Sequence, residues 1–357
     1  MRIVWIDNAK AIGILLVVFG HTSGFGSFAK EFAYSFHMPL FFFLSGYVLR
    51  PEYLSEPFNS YVTKYFKSLI IPFASFWLVS YFCWLPTKAL RSHALQYAEM
   101  SSFDPIIGLI YGVYTKLYVN QVLWFFPCLF CTVLLFYFIS KIKDNRLMFI
   151  TLIFLGIIGP YINEQIKFRL PWNVELSLVA IVFFSLGHYL CRFQFFQELT
   201  HRKLKVFVCA VLVGVLCFIV NINGWVNMNR MIFGNLALFY LGAFCGIGLT
   251  ILLSQMIPGN FGTEWLSLNT IVIFPMHIII FNIFTGIGVI LFGLNHNFKN
   301  SFIFSILYIF GAILVCIPVA YIIRRYFPWM IGQGNRLVGT FLQQTARMQR
   351  NSQLRNN

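Results

Sequence analysis

The amino-acid sequence predicts an all-α protein that crosses a membrane about ten times. Of its 357 residues, 59% are hydrophobic and only 10% are charged, whereas a soluble domain carries about 25% charged residues. Aromatic residues make up 19% and 43 residues are phenylalanine, so the composition also excludes a disordered chain. The net charge of +15 lies in short clusters between apolar runs, which is the pattern of a membrane protein and argues against nucleic-acid binding.

Ten apolar runs are long enough to be candidate membrane helices, since a span needs roughly 20 mostly apolar residues. The fifth and seventh runs are short and could be tilted or partly re-entrant. A further stretch, 103–119, contains Lys116 and internal glycines, and we expect it to lie at the membrane interface because charge at the bilayer centre is costly. The ten runs are 9–27, 33–49, 68–86, 121–140, 147–162, 173–190, 206–222, 231–256, 269–293 and 301–323.

The basic residues predict the orientation of these spans. With ten spans and a cytoplasmic N-terminus, 18 of the 26 Lys and Arg residues fall on the cytoplasmic side, as the positive-inside rule requires. Residues 1–326 then form one transmembrane domain, and 327–357 form a basic, polar cytoplasmic tail. This tail either anchors the topology or contacts membrane lipid headgroups.

The cysteines and histidines predict no metal site. The eight cysteines lie within or beside apolar runs, where a free thiol behaves as a small buried hydrophobic group. Cys128 and Cys131 form a single Cys-x-x-Cys pair without the second pair that a structural zinc site needs. The histidines also lack a helical pairing with a carboxylate.

Polar residues inside the first apolar run are candidates for function, because ionisable groups in a membrane are expensive. Lys10 and His21 are eleven residues apart, which places both on one helix face, about 16 Å apart along the axis. Asp7 is close enough along the helix to pair with Lys10. An interfacial ion pair and an interfacial histidine would explain the same residues without any catalytic role.

The second run adds a histidine at one end and an arginine at the other. The loop before it is short, so we expect His37 and His21 to face one cavity at the outer surface. Histidine is the usual general base near neutral pH. Arg50 lies at the cytoplasmic end of the run. Either ligand binding or anchoring of the span by the positive-inside rule would explain its presence there.

Taken together, the pattern Asp-x-x-Lys-x(10)-His followed by SFHMPLFFFLSGY resembles the acyltransferase 3 family, which are bacterial membrane proteins that O-acylate sugars. The family usually has Arg where Lys10 stands, and Lys lacks the bidentate fork of Arg. With Lys at this position, the chain resembles the branch of the family that is related to fucose and exopolysaccharide O-acetyltransferases. Later segments that resemble the family are NQVLWFFPCLF around Trp124, PWNVELSLVAIVFFSLGHYL and GTEWLSLNTIVIFPMH, which ends at His277.

The resemblance implies an O-acetyltransferase of the bacterial inner membrane. It would use acetyl-CoA as donor, with no bound cofactor, and a sugar hydroxyl of O-antigen, capsule or exopolysaccharide, or of the lipid-linked precursor, as acceptor. We expect Asp7, Lys10, His21 and His37 to form the catalytic set, and Lys10 with Arg50 to bind the donor phosphates. His21 acts as base or as transient acyl carrier, so direct transfer and an acetyl-histidine intermediate both remain open.

Polar and aromatic residues near the outer ends of later runs are candidates for sugar binding. They are Trp124, Glu164, Arg169, Trp172 and Glu175. An interfacial carboxylate would also explain Glu175, and a hydrogen-bonded core histidine would explain His277. The alternative function is a transporter or flippase for a sugar-linked lipid, which a transport assay without acyl donor would distinguish. A different class of membrane acyltransferase and a non-catalytic scaffold are further alternatives.

Overall fold

The computed structural model describes residues 3–88, 101–192 and 202–333. Within these ranges the chain forms α-helices and short helical turns and contains no strand, which confirms the predicted all-α class. Eight of the described helices are long and apolar enough to cross a membrane. The count of ten spans and the orientation stay predictions, as does the cytoplasmic tail, of which residues 334–357 lie outside the described residues.

The amino-terminal part consists of three helices. Helix α1 spans Val4–Gly20, α2 spans Ser27–Tyr34 and α3 spans His37–Tyr47. The predicted run 33–49 is therefore shared between two helices. Pro39 explains the break, because its ring would clash with the carbonyl of Ser35 in a continuous helix, whereas the first turn of α3 tolerates it.

The remaining helices follow in chain order. A π-helical turn, Phe66–Ile70, joins the helix that precedes it and the helix that follows it into one continuous segment. Pro72 explains this turn, because proline has no backbone N–H to donate the hydrogen bond that a regular α-helix would have there. The helices are α4 Phe58–Tyr65, α5 Ile71–Trp84, α6 Asp104–Tyr111, α7 Phe125–Ile139, α8 Asn145–Ile166, α9 Val174–Arg192, α10 Arg202–Asn223, α11 Leu236–Met256, α12 Phe261–Ile290 and α13 Phe302–Tyr326.

Several helix boundaries differ from the predicted runs. Helices α8 and α10 have 22 residues each, so neither is short. Helix α12 begins at Phe261 rather than near 269, because the side chain of Asn260 accepts a hydrogen bond from the Thr263 amide at 3.0 Å and caps the helix. In the stretch 103–119 only α6 is helical, and it ends where Gly112 adopts a left-handed φ of 66°.

Helices α1, α3, α9, α11 and α12 form the core, while α8 and α13 lie outside it. Phe42, Phe183 and Ile14 of the core helices are completely buried. On the outer helices, Phe149 is 62% exposed and Leu314 is 63% exposed. Large apolar side chains directed outward are what a surface in contact with lipid requires, and they agree with a protein that spans a membrane several times.

Helices α3 and α9 are in direct backbone contact at two glycines. A Cβ atom at Gly46 would collide with the carbonyl of Phe184, and one at Gly187 would collide with the carbonyl of Phe43. Small residues allow this close approach between membrane helices. The contact fixes α3, the helix that begins with His37, against the core.

Candidate active site

Helix α1 connects two chemically different ends of the helix bundle. At its first turns, the Ser267 hydroxyl donates a hydrogen bond to Asp7 at 2.6 Å, which joins α1 to the start of α12. The Asn8 amide donates to the carbonyls of Ser254 and Ile257 at 3.0 and 2.8 Å. We call this the Asp7 end of the bundle. The opposite end, where α1 stops, is the His21 end.

Three histidines from distant parts of the chain lie at the His21 end. His21 follows the last residue of α1, His37 begins α3, and His277 lies within α12. The ring centroids of His21 and His277 are 5.1 Å apart. His37 is 3% exposed and His277 is fully buried. The packing of α1 against α12 therefore creates an imidazole pair, with a third imidazole on the neighbouring helix.

Hydrogen bonds orient two of these imidazoles. The Nδ1 atom of His37 is 2.7 Å from the Ala33 carbonyl, and that of His277 is 3.2 Å from the Ile273 carbonyl. A carbonyl oxygen only accepts, so in both rings Nδ1 carries the proton and Nε2 carries the lone pair. Among the described residues, Nε2 of His277 has no hydrogen-bond partner. That nitrogen can therefore accept a proton from a group that comes within hydrogen-bond distance.

A cleft of about 320 Å³ opens beside these histidines. His21 and His37 line it together with Trp124, Lys30 and Arg230, whereas His277 reaches it only through its contact with the His21 ring. Its volume lies at the lower end of the range for small-molecule sites. The cleft can therefore accept a small, polar ligand such as part of a saccharide beside the imidazoles.

One wall of the cleft is the turn Asn227–Met231, which a buried ion pair holds in place. Arg169 forms an ion pair with Glu175, donates to the Asn173 side chain at 2.8 Å and donates to the carbonyl of Asn229. The side chain of Arg169 is 9% exposed and that of Glu175 is fully buried. Since Asn229 lines the cleft, Arg169 and Glu175 support this wall from behind.

The other predicted sugar-binding residues occupy different positions. Trp124 lines the cleft and is 4% exposed. Trp172 donates its indole N–H to the Ile110 carbonyl at 2.8 Å and lies outside the cleft lining. Glu164 is exposed near the end of α8 and is also outside that lining. A role in substrate binding stays a prediction for all three.

The predicted donor-binding residues lie at the Asp7 end. Lys10 is on α1 and Arg50 is an exposed residue that follows α3. Neither lines the cleft, and Lys10 is about 16 Å from His21 along the axis of α1. The rings of Trp5 and Tyr47, 4.9 Å apart, show that the start of α1 and the end of α3 meet there. The donor-binding role of this end stays a prediction.

Sequence reasoning missed several residues of the cleft. It also missed the contact between His21 and His277, which depends on helix packing that no local pattern reveals; His277 itself does not line the cleft. Lys30 and Arg230 had an available signal, because both belong to the eight cations outside the predicted cytoplasmic set. Two aromatic residues of the lining, Tyr34 and Trp225, had no such signal among the many aromatic residues of the chain.

A comparison with protein families finds a match, and it covers nearly the whole helix bundle. A family model described as an acyltransferase domain matches residues 3–325. The match runs from the start of α1 almost to the end of α13 and includes all three histidines of the site. The searches of curated proteins and of solved structures give no match to the chain.

Proposed function

The chain belongs to the acyltransferase 3 family, and from that premise we propose that it moves an acetyl group from acetyl-CoA to a sugar hydroxyl. The acceptor in this proposal is a cell-surface polysaccharide or its lipid-linked precursor. The family match and the eight long apolar helices among the described residues establish a multi-pass membrane acyltransferase. The acetyl donor, the sugar acceptor, the exopolysaccharide-type branch and the bacterial inner membrane are the parts that we propose.

The observation that carries the proposal is the pairing of His21 with His277 beside a cleft of ligand size. A sugar hydroxyl is a weak nucleophile near neutral pH, so transfer needs a base within hydrogen-bond reach. His21 lines the cleft, and the ring of His277, whose Nε2 lacks a partner among the described residues, contacts the ring of His21, so the proposal assigns the base to this pair.

Direct transfer needs one imidazole. The acceptor oxygen attacks the thioester carbonyl carbon while the imidazole nitrogen takes the hydroxyl proton. The new C–O bond forms, the C–S bond breaks, and the proton passes to the leaving sulfur of coenzyme A.

Transfer in two steps uses both imidazoles. A nitrogen of His21 first attacks the thioester carbonyl carbon; the C–N bond forms, the C–S bond breaks, and the ring proton of His21 passes to the sulfur, which leaves an acetyl-histidine and the thiol of coenzyme A. The acceptor oxygen then attacks that acetyl group while His277 takes the hydroxyl proton; the C–O bond forms, the C–N bond breaks, and the proton passes from His277 to the leaving nitrogen of His21. The pair thus provides a carrier and a base in one place, and both routes remain within the proposal.

The donor enters from the Asp7 end in this proposal, which makes that end cytoplasmic. Lys10 and Arg50 bind phosphates of acetyl-CoA, since cations form strong charge-assisted hydrogen bonds with phosphate oxygens. In this proposal the thin pantetheine arm passes along α1 from Lys10 to His21, which requires the buried side chains of Ile14 and Val17 on this face to move aside.

The test is the ester content of purified surface polysaccharide, measured by proton NMR. The host carries the gene intact, deleted, or restored with His21→Ala, His277→Ala or His296→Ala at equal protein level. His296 is an exposed histidine outside the cleft and serves as the matched control. We expect acetyl signals only with the intact gene and with His296→Ala. Full acetylation with His21→Ala would contradict the proposal.

A second assay separates the transferase from a flippase. The purified protein in liposomes receives labelled acetyl-CoA and an oligosaccharide acceptor. A transferase labels the oligosaccharide, whereas a flippase moves a sugar-linked lipid without donor and transfers no label.

A further inference from the structure

The charge of the cleft has one sign. Lys30 and Arg230 both line it, whereas none of the described residues that line it is an Asp or a Glu. A cleft lined by charges of one sign concentrates ligands of the opposite sign. If the His21 end faces outward, the positive-inside rule does not explain these cations, because it favours Lys and Arg on the other side.

Arg230 extends from a turn with a fixed backbone. The side chain of Asn227 accepts a hydrogen bond from the Arg230 amide at 3.1 Å, and Met231 adopts a left-handed φ of 56°. Arg169 holds the carbonyl of Asn229 in the same turn. The guanidinium of Arg230 lies 5.6 Å from the ring centroid of Tyr114. A guanidinium presented on such a turn can bind a carboxylate or a phosphate with two parallel hydrogen bonds.

Lys30 approaches the cleft from helix α2 and is half-buried. Burial lowers the pKa of Lys30, as expected for an ammonium group that has lost part of its water. An anionic ligand would compensate for that loss. The rings of Tyr34 and Trp225, with centroids 4.6 Å apart, provide an apolar surface in the same cleft. One ligand face can thus contact aromatic rings while an anionic substituent reaches the cations.

We propose that the acceptor sugar carries a negatively charged group, a carboxylate or a phosphate, which Lys30 and Arg230 bind at the mouth of the cleft. This inference rests on the proposed function, according to which the cleft receives the acceptor. It adds the chemical class of that acceptor. The aromatic rings of Tyr34 and Trp225 contact the apolar face of the sugar ring.

The test measures equilibrium binding of three probes to the purified full-length protein. They are a neutral disaccharide, the same disaccharide with a terminal uronic acid, and the neutral disaccharide with a reducing-end phosphate. A hydrogen bond to a charged group contributes about 1.5–3 kcal/mol, which is about 10- to 100-fold in affinity. We expect at least one anionic probe to bind about tenfold or more tightly than the neutral one, and the better probe identifies the source of the charge.

Variants assign this preference to the two cations. Lys30→Gln and Arg230→Gln should each reduce the ratio of anionic to neutral affinity about tenfold, whereas Lys30→Arg should retain it. Lys299→Gln is the control, because Lys299 is an exposed cation outside the cleft lining. In the wild-type protein, the preference for the anionic probe should also fall as the salt concentration is raised. This measurement does not depend on whether a variant folds.

The outcomes separate this inference from the proposed function. Selective binding of an anionic probe supports the inference even where no acetyl transfer occurs, and absence of transfer then counts against the proposed function alone. Equal binding of all three probes, or no binding of any, overturns the inference whether or not the protein transfers acetyl groups. It is also overturned if coenzyme A displaces the anionic probe and loses affinity in the same variants, since the cations would then serve the donor.

Discussion

The imidazole rings of His21 and His277 lie 5.1 Å apart between centroids, although one residue follows the first helix and the other lies within the twelfth. Their contact depends on how α1 packs against α12. The hydrogen bond from Ser267 to Asp7 fixes the same two helices at their other end. The pair is thus a product of helix packing along the whole length of α1.

Loss of the His277 imidazole should slow acetyl transfer strongly without unfolding the protein. We expect His277→Gln to lower kcat for acetyl transfer by about 10²- to 10⁴-fold, the usual contribution of a general base. The KM for acetyl-CoA should change little. Steady-state assays on protein of equal purity test this, with His296→Gln as the control. A His277→Gln protein with near wild-type kcat would exclude this histidine from catalysis.

The buried ion pair behind the cleft should be structural. Glu175→Gln leaves the buried charge of Arg169 without its partner, and breaking such a pair costs about 3–5 kcal/mol. We expect a clear fall in the thermal unfolding midpoint in detergent, together with a higher KM for the acceptor as the wall at Asn229 loosens. Glu52→Gln, an exposed carboxylate that does not line the cleft, should change neither. A raised acceptor KM with unchanged stability would instead favour direct substrate binding by Glu175.

The glycine contact between α3 and α9 should not tolerate even one methyl group. In Gly46→Ala the new Cβ meets the carbonyl of Phe184, and such overpacking costs typically about 1–3 kcal/mol. Gly187→Ala should behave alike, because its Cβ meets the carbonyl of Phe43. Thermal unfolding in detergent measures both losses.

A third glycine provides the control for these substitutions. Gly214 has no heavy atom within 4 Å of its ideal Cβ position, and alanine is the better helix former. Gly214→Ala should therefore be neutral or slightly stabilising. Equal unfolding midpoints for all three variants would mean that α3 and α9 are not in the tight contact described.

The sequence could predict the parts of this structure that depend on local pattern. Apolar runs indicated the all-α membrane class, and the short loop between the first two runs indicated that His21 and His37 lie together. His277 could not be placed, because its contact with His21 depends on packing between helices far apart in the chain. The loop before α9 was equally ambiguous. There Arg169 turns inward to Glu175, while Trp172, with a positive φ of 60°, bonds to the carbonyl of Ile110.

The donor site at the Asp7 end gives a separate kinetic prediction. We expect Lys10→Gln to raise the KM for acetyl-CoA about tenfold or more, since a hydrogen bond from a charged donor to a phosphate is lost. The KM for the acceptor should change less. Lys10→Arg should retain the low KM, because Arg stands at this position in the family pattern. Lys143→Gln, an exposed cation in the α7–α8 loop, is the control. Parallel changes in both KM values would argue against a donor-specific role.

The charge on Lys30 should make acceptor preference sensitive to alkaline pH. Burial lowers the pKa of Lys30 from its ordinary value. A lysine is positively charged below its pKa, so this charge is lost, as pH rises, earlier than in a solvent-exposed lysine. The preference for an anionic over a neutral disaccharide should therefore fall in the alkaline range. Arginine stays protonated throughout that range, so Lys30→Arg should keep the preference.

The measurement is the ratio of kcat/KM for the two disaccharides between about pH 7.5 and pH 10, which lies above the usual titration range of histidine and reaches that of lysine. Both acceptors use the same imidazoles, so the ratio cancels any change in the base. Arg230 lines the same cleft and stays protonated over this range, so part of the preference should persist at the highest pH. A wild-type ratio that stays constant, and equals that of Lys30→Arg at every pH, would show that Lys30 does not contact the anionic group.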